Sequence, residues 1–444
     1  MESGREFDSC LLSSTAKYPK IQVEGARNRA MTQRVAILHY SSPPVIGGVE
    51  SLIGHHANGL MHLGYAVRII SGSGAPLPAP IETYLNPLFS SSHPDILAIK
   101  SHLDAGDCTP AFEQMVAQLY QALEVALADC DICIAHNLHN MNKNLPLTAA
   151  LHSYTAARQI RCIAYCHDIA ASNPQYINEF HPGHPWDLLR TAWPETQYVT
   201  VSTHRRDELA QTLQIAPDSI AVISPGVDPS QFFGWTPIML DLVNRLHLLD
   251  ADGLLLLPAR LTRRKNIELA LHILRAIRDI SRLNIRLIVS GPPGPHNPSN
   301  QAYLTRLLDL RAGLKLVDKA HFLYACGETA EQPLLVDDAT MSNLYQLADA
   351  LLFPSTQEGF GIPILEAALA RLPIFCAGIP PLRETAADDA HYFDPTSQSP
   401  EQIAQLVWEA LSTSPAYRLS VRIRHNYRWE RIIERKLVPL LEVL

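Results

Sequence analysis

Glycines, carboxylates and a helix start fall together in one stretch of the second half of the sequence. Residues 353–366 spell FPSTQEGFGIPILE, in which seven residues separate Glu358 from Glu366. Gly359 and Gly361 permit close approach to the backbone, and the proline that follows suits the first turn of a helix. The free N–H groups of such a helix start favour a bound anion, although a helix start alone also explains the glycines, the proline and a glutamate.

A cationic stretch, PARLTRRKN at residues 258–266, follows one apolar run and precedes an amphipathic one. Arg260 offers a planar, bidentate group for phosphate, and Lys265 offers a point charge. Cations at the start of a helix oppose the helix dipole, so they indicate a bound anion such as a diphosphate. The alternative is a solvated run of charges at a helix start.

Three shorter features in the first half also follow predicted strands, where ligands of open α/β sheets bind. A glycine pair lies where missing side chains would let a phosphate reach the backbone, although paired glycines are also common in turns. Two histidine sites follow later strands of the same predicted sheet. A lone histidine is more often structural, but two such sites in one sheet favour a function. The residues concerned are Gly47 with Gly48, His136 with His139, and His167 with Asp168.

The spacing of cysteines and histidines raises the alternative of a zinc site. Its ligands would be Cys130, Cys133, His136 and His139. These residues span a predicted strand and both of its ends, a segment too extended for one tetrahedral centre. The sequence therefore predicts no metal site.

The elements that position these residues alternate between short apolar runs and amphipathic stretches. This alternation predicts an α/β fold with parallel sheets covered by helices on both faces. It occurs twice, with about six strands in residues 34–224 and five in residues 229–425, and turn residues cluster between the two halves. Residues 426–444 predict a long amphipathic helix, which we expect to pack on the first domain.

Two segments fall outside this alternation. Residues 1–33 carry acidic residues early and no sustained apolar region, so they do not match a secretion signal. They predict a disordered leader, with an over-long reading frame as the alternative. Residues 76–107 are rich in proline and serine and predict an irregular insertion over the rim of the first sheet.

Composition excludes several classes of protein. The chain of 444 residues carries a net charge of −8 without a block of like charges, which argues against nucleic-acid binding. Its eight cysteines are scattered, as in a cytoplasmic enzyme with reduced thiols and unlike a disulfide framework. No apolar run approaches the roughly 20 residues of a membrane-spanning helix, so the sequence predicts none and favours the cytoplasm.

Taken together, the motifs resemble those of the family 4 retaining glycosyltransferases. The resemblance covers residues 34–444 and implies the GT-B architecture, in which two Rossmann-like domains face each other across a cleft and the C-terminal helix crosses back to the first domain. Arg371 stands where the family usually has a small residue. The motifs that carry the resemblance are Pro44-x-x-Gly47-Gly48-Val49-Glu50, Arg260 with Lys265-Asn266, and Glu358-Gly359-Phe360-Gly361 with Glu366.

By this resemblance the second domain binds a nucleotide-diphosphate sugar and the first domain binds the acceptor. Glu366 would hold the ribose hydroxyls, and Arg260 and Lys265 would hold the diphosphate. Glu358 and the amides that follow it would hold the sugar, while the glycine pair of the first domain would close on the phosphate. The implied donor-binding residues are therefore Gly47, Gly48, Arg260, Lys265, Gly359, Phe360, Gly361, Ile362 and Glu366.

The resemblance also implies the catalytic groups. His167 matches the family's active-site histidine and would contact the donor sugar, with Asp168 beside it. The acceptor side would include His136 and Asn137. The implied catalytic residues are His167, Asp168, Glu358, Arg260 and Lys265.

The implied reaction transfers a hexose from a UDP-, GDP- or ADP-sugar to an acceptor hydroxyl with retention. In this front-face reaction the leaving diphosphate helps to deprotonate the acceptor, so neither a metal nor a cofactor is implied. Residues 34–223 hold nine Lys and Arg against sixteen Asp and Glu, which favours a soluble or saccharide acceptor over an anionic lipid surface. Two alternatives stay open: an epimerase or phosphorylase of the same architecture, and a non-catalytic nucleotide-sugar-binding subunit. The sugar, the acceptor and the oligomeric state stay open as well.

Overall fold

The computed structural model describes residues 33–443 except 159, 295–298, 328, 330 and 331. The predicted leader lies outside the described residues apart from Gln33. The chain divides into two compact units. The first comprises the residues up to Pro225 together with Trp429–Leu444, and the second comprises Gly226–Arg428.

The first unit is built on one parallel sheet of seven strands in the order β3-β2-β1-β4-β5-β6-β7. Its central strands are largely apolar and buried because helices cover both faces of the sheet. The strands are β1 (Arg34–Ser41), β2 (Ala66–Ser73), β3 (Glu82–Leu85), β4 (Ile132–His136), β5 (Arg161–Cys166), β6 (Thr196–Thr200) and β7 (Ile220–Val222). The helices are α1 (Gly48–His62), α2 (Pro94–Asp104), α3 (Pro110–Ala126), α4 (Leu145–Arg158) and α5 (Thr203–Leu213).

The prediction of an irregular insertion at residues 76–107 was wrong, since this segment contains β3 and α2. The strand β3 lies at the sheet edge and buries none of its four residues, so it carries no apolar alternation that sequence analysis could detect. It pairs with β2, and Arg68 binds Glu82 across the pair at 2.7 Å. The edge strand is therefore held partly by charge.

The second unit has a parallel sheet of six strands in the order β10-β9-β8-β11-β12-β13. Five of them match the predicted strands, and the sixth, β13, is an edge strand that buries only Phe393 and so shows no apolar run. The strands are β8 (Gly253–Leu257), β9 (Ile285–Val289), β10 (Ala320–Phe322), β11 (Ala350–Phe353), β12 (Ile374–Ala377) and β13 (His391–Phe393). The helices are α6 (Pro229–Phe233), α7 (Pro237–Arg245), α8 (Ile267–Ser281), α9 (Ser299–Gly313), α10 (Asp338–Leu347), α11 (Ile362–Leu369), α12 (Pro380–Ala386), α13 (Pro400–Thr413) and α14 (Pro415–Asn426).

The C-terminal segment is not the single helix predicted for residues 426–444. It consists of α15 (Trp429–Ile432), a π-helical turn (Ile433–Leu437) and α16 (Val438–Val443). Its apolar side chains join the core of the first unit, where the Trp429 ring stacks on His55 at a centroid distance of 4.9 Å. The close contact of Ile433 with α1 requires a glycine, because a Cβ on Gly59 would lie 2.2 Å from Ile433 Cδ1.

Both units are doubly wound parallel sheets, which confirms the predicted α/β fold class. The connections that follow β1, β4 and β5 in the first unit, and β8, β9 and β11 in the second, run from the carboxyl ends of the strands toward the next helices. All predicted site residues lie in or beside these connections. No helix within the described residues combines the length and the hydropathy that crossing a bilayer requires.

Candidate functional site

In the second unit, the connections after β8 and β11 meet because these two strands are neighbours in the sheet. The Thr356 backbone N–H donates to the Arg264 carbonyl at 2.8 Å. Arg264 Nη1 in turn donates to the Gln357 carbonyl at 2.9 Å. Two loops that lie some ninety residues apart in sequence are thereby fixed to each other.

This contact places two cations on one carboxylate. Lys265 Nζ lies 2.5 Å from Glu358 Oε1, and Arg264 Nη1 lies 3.0 Å from Glu358 Oε2. The side chains of Lys265 and Glu358 are only 10% and 8% exposed. We call these three residues the ion-pair cluster. Arg264 is a member that sequence analysis missed, because only the neighbouring cations matched a known motif.

The pKa values show which charges the cluster carries. Burial alone would raise the pKa of Glu358, but the hydrogen bond and charge of Lys265, with Arg264, hold it below its usual range. Burial lowers the pKa of Lys265, and Glu358 opposes that shift. Glu358 is therefore ionised at neutral pH and leaves a net positive charge on the cluster.

The second glutamate of the motif lies on α11. Glu366 is exposed, and its Oε2 accepts a hydrogen bond from the buried Tyr345 hydroxyl at 2.6 Å. Burial and the Glu366 carboxylate raise the pKa of Tyr345, so the phenol stays a donor. With one carboxylate oxygen held by the phenol, the other is available to a ligand hydroxyl.

The two glycines before α11 differ in whether the surrounding protein leaves room for a side chain. Gly361 caps the helix with a φ of +107°, and a Cβ there would lie 2.6 Å from Leu382 Cδ2. Gly359 faces open space, so no neighbour within the described protein requires a glycine there. Phe360 and Ile362 beside them are 51% and 60% exposed. The start of α11 is thus open to a ligand.

The remaining predicted cation, Arg260, is exposed and has no hydrogen bond or ion pair with the described residues. Its backbone lies against Gly291, at the end of β9, where a Cβ would lie 2.2 Å from the Ala259 carbonyl oxygen. Sequence analysis missed Gly291 as a positioning residue. The SGPPG stretch directly after a strand is a signal that could have found it.

In the first unit, β4 and β5 are neighbours, and the residues that follow them meet. His167 Nε2 lies 3.0 Å from His136 Nδ1, and the His167 backbone N–H donates to Asn137 Oδ1 at 2.9 Å. Asn137 has a φ of +59°, a left-handed conformation that asparagine tolerates. Burial lowers the pKa of His167 to about 3, so this imidazole is neutral at physiological pH.

Two residues of the predicted acceptor side are buried in this structure. His136 is 0% exposed and Asn137 is 7% exposed, so neither presents its side chain to an acceptor. Both contact His167 instead. His136 is the last residue of β4, and a sequence motif does not show on which side of a strand end a residue is covered. Asp168 is exposed and pairs with Arg205 at 3.2 Å.

The predicted glycine pair lies at the start of α1. A Cβ on Gly47 would lie 2.0 Å from Glu50 Oε2, whereas a Cβ on Gly48 would meet open space. Glu50 folds back over the turn and accepts a hydrogen bond from the Ser41 hydroxyl at 2.5 Å. A side chain at residue 47 would therefore displace the Glu50 carboxylate, whereas Gly48 leaves the backbone uncovered.

The cysteine and histidine residues weighed for zinc do not come together. Within the described ranges, no group of three or more His, Cys, Asp or Glu side chains is arranged to hold a metal ion. His139 instead lies 3.7 Å from the Cys162 sulfur in the core.

Comparison with known proteins extends this description. The model of the Glycosyltransferase Family 4 domain matches residues 46–231, and the model of Glycosyl transferases group 1 matches residues 244–428. The two matches fall in the first and second unit respectively, and together they cover most of the chain. They define the class of protein as a glycosyltransferase.

Individual relatives agree with this class. An uncharacterized glycosyltransferase of Methanocaldococcus jannaschii is 25% identical, over 85% of this chain and 89% of that protein. A D-inositol 3-phosphate glycosyltransferase of Frankia alni is 30% identical over 44% of each chain, so less than half of that relative is spanned. A crystal structure of a Rickettsia africae glycosyltransferase is 17% identical, with a match that covers 93% of this chain and 98% of that one and a TM-score of 0.36. On the two family models, the chain belongs to the family 4 glycosyltransferases.

Proposed function

We propose that this glycosyltransferase transfers a hexose, with retention, from a nucleotide-diphosphate sugar to an acceptor hydroxyl. The second unit binds the donor, and the first unit binds the acceptor and supplies His167. The ion-pair cluster carries this proposal, because it concentrates net positive charge beside an open helix start.

The cations of the second unit match the chemistry of a leaving diphosphate. Arg260 has no partner in the described protein and can form two parallel hydrogen bonds with phosphate oxygens. Lys265 adds a charge that Glu358 already orients. Fixed cations and backbone N–H groups stabilise charge that develops as the sugar leaves, without reorganisation of solvent. We propose that they do so without a metal ion or cofactor.

Glu366 fits the ribose of the donor. A carboxylate oxygen accepts hydrogen bonds from hydroxyl groups, and the Tyr345 hydroxyl fixes the direction of the carboxylate. The nucleobase is not decided by these contacts, so UDP, GDP and ADP sugars are all candidates.

His167 fits a hydrogen-bonding role toward the donor sugar. Its low pKa keeps it neutral, so it carries one N–H donor and one lone pair at physiological pH. It therefore contacts the sugar without adding a charge at the reacting carbon.

The acceptor is proposed to be hydrophilic and not an anionic lipid surface. The first domain has an excess of acidic residues, which an anionic surface would repel. The Frankia alni relative, named for D-inositol 3-phosphate, provides one precedent for a small polyol acceptor.

Thermal unfolding with UDP, GDP, ADP and their sugars tests the donor site, since a ligand of the folded state raises the melting temperature. We expect one nucleotide family to raise it, with and without EDTA. Lys265→Ala and Glu366→Ala should each weaken binding of that nucleotide by about tenfold or more. The first variant loses a charge contact with the diphosphate, and the second loses the hydrogen bonds to the ribose.

Arg275→Ala is the matched control, because Arg275 is a cation of the same unit whose partner is Asp279 on its own helix. It should leave nucleotide binding unchanged. Unaltered binding in Lys265→Ala would contradict the assigned diphosphate site, and a shift abolished by EDTA would contradict metal-independent binding. Retention is checked by NMR of the first-formed product anomer.

A further inference from the structure

A second imidazole lies directly behind His167. His136 Nδ1 is 3.0 Å from His167 Nε2, and the Tyr165 ring stacks against both imidazoles at centroid distances of 4.8 and 5.0 Å. His136 is fully buried, whereas His167 is partly exposed. The pair thus has an inner member that no substrate reaches and an outer member that a substrate can reach.

Both imidazoles are neutral. Burial, aided by the neighbouring histidines, holds the pKa of His136 far below its usual range, and burial lowers the pKa of His167 to about 3. A neutral imidazole carries one N–H and one lone pair. Only one proton therefore lies between the two facing nitrogens, and it belongs either to His136 Nδ1 or to His167 Nε2.

The other nitrogen of His136 decides between these two arrangements. His136 Nε2 is buried and has no hydrogen-bond partner among the described residues. If His167 donated, His136 would carry its own proton on Nε2 and bury an unsatisfied N–H group. If His136 donates through Nδ1, Nε2 holds only a lone pair. Orphaned N–H groups are rarer in protein interiors than unpaired acceptors, so the second arrangement is favoured.

We propose that His136 is a positioning residue that donates its Nδ1–H to His167 Nε2 and thereby holds His167 in the Nδ1–H tautomer. The Nδ1–H of His167 is then the donor offered to an oxygen lone pair of the bound sugar. This inference rests on the proposed function for the sugar contact, whereas the tautomer itself is a property of the free protein.

Two further contacts keep the pair in place. His39 Nδ1 lies 2.9 Å from the His136 carbonyl oxygen, and the His167 backbone N–H is held by Asn137. The His56 ring also packs near His136, at a centroid distance of 5.9 Å. Burial lowers the pKa of both His39 and His56, so the imidazoles packed against His136 from these sides are neutral.

The test is nitrogen NMR of the full-length protein labelled with ¹⁵N-histidine, because protonated and unprotonated ring nitrogens differ strongly in chemical shift. His167→Gln identifies the His167 signals by their loss. We expect the wild-type His167 ring to carry its proton on Nδ1. A proton on Nε2 in the wild type would overturn the inference, and this outcome needs no variant of His136.

His136→Leu removes the donor while keeping an apolar side chain in the core. We expect His167 to move toward the Nε2–H tautomer, and turnover to fall about tenfold or more at unchanged nucleotide affinity. His136→Asn places an amide N–H near the former Nδ1, so it should restore the Nδ1–H tautomer and part of the turnover. An unchanged tautomer in His136→Leu would contradict the role of His136.

His62→Asn is the control, because His62 is a histidine of α1 whose Nδ1 lies 2.9 Å from the Asn58 carbonyl oxygen. It should leave the His167 signals unchanged. If His167 carries its proton on Nδ1 but the protein binds no nucleotide sugar, the inference about His136 stands. The proposed function would then be refuted instead.

Discussion

Among single residues, Lys265 and Glu358 form the central contact of the ion-pair cluster. The two groups are largely buried and lie 2.5 Å apart. A buried ion pair adds little net stability compared with apolar residues, but removal of one partner leaves an uncompensated charge. The pair is therefore better explained by the orientation it gives Lys265, in a cluster that Arg264 makes net positive, than by its contribution to the core.

We expect Glu358→Gln to lower the free energy of unfolding by about 1–3 kcal/mol at neutral pH, because Lys265 loses its carboxylate. The folded protein holds the pKa of Glu358 below its ordinary value of 4.5. The stabilisation is therefore complete above that ordinary value and is lost as the pH falls through the lowered pKa of the folded state.

Urea unfolding of the wild type and Glu358→Gln, from neutral to acid pH, measures this effect. The difference in free energy should shrink toward acid pH. Glu384→Gln, at an exposed carboxylate of the same unit, should show almost no difference. A difference for Glu358→Gln that does not vary with pH would disprove the assigned ion pair.

At the level of elements, the contact between α1 and the π-helical turn joins two ends of the first unit. Gly59 of α1 faces Ile433, and a Cβ at this position would lie 2.2 Å from Ile433 Cδ1. Extra volume in a packed core costs about 1–3 kcal/mol, while alanine in place of glycine favours a helix by about 1 kcal/mol. Packing therefore outweighs helix propensity at this residue.

We expect Gly59→Ala to destabilise the protein and Ile433→Val, which removes the Cδ1 atom, to recover much of that loss in the double variant. Urea unfolding of the four proteins gives the coupling energy directly. Gly48→Ala adds a Cβ that meets open space and serves as a control for stability. Additive effects of the two substitutions would show that the predicted contact does not form.

The two units differ in how the chain builds them: the first consists of two separate segments and the second of one. The second unit is continuous, and its two ends lie side by side, since the Val227 N–H donates to the Tyr427 carbonyl at 2.7 Å. The first unit needs the C-terminal segment, whose residues Leu437 and Leu441 are fully buried in its core. A substitution that removes buried side-chain atoms of the C-terminal segment should therefore lower the stability of the first unit and leave that of the second unchanged.

We expect Leu437→Ala to cost about 2–5 kcal/mol, because it leaves a cavity in the first unit. The nucleotide affinity of the second unit should not change. Calorimetry of unfolding and nucleotide titration of the same sample check both statements. Leu440→Ala, at a partly buried position of the same segment, should cost less. A matching loss of nucleotide affinity in Leu437→Ala would contradict the independence of the two units.

The sequence by itself determined the α/β class, both sheets and most of their strands, because apolar periodicity is a local property. It also determined that the candidate residues lie at strand ends, since the glycines, cations and histidines directly follow apolar runs. The terminal helix was correct in its apolar face, but the π-helical turn within it has no sequence pattern that sets it apart from an α-helix.

Only the tertiary structure decided which strand ends meet. The order of strands in a sheet is set by packing between distant segments, so the contact of Arg264 with the loop of Glu358 could not be predicted locally. The same holds for His136, which a motif places near a ligand but the fold buries behind His167. Burial and hydrogen-bond pairing depend on every element around a side chain, and that is why they were decided by the fold and not by the motif.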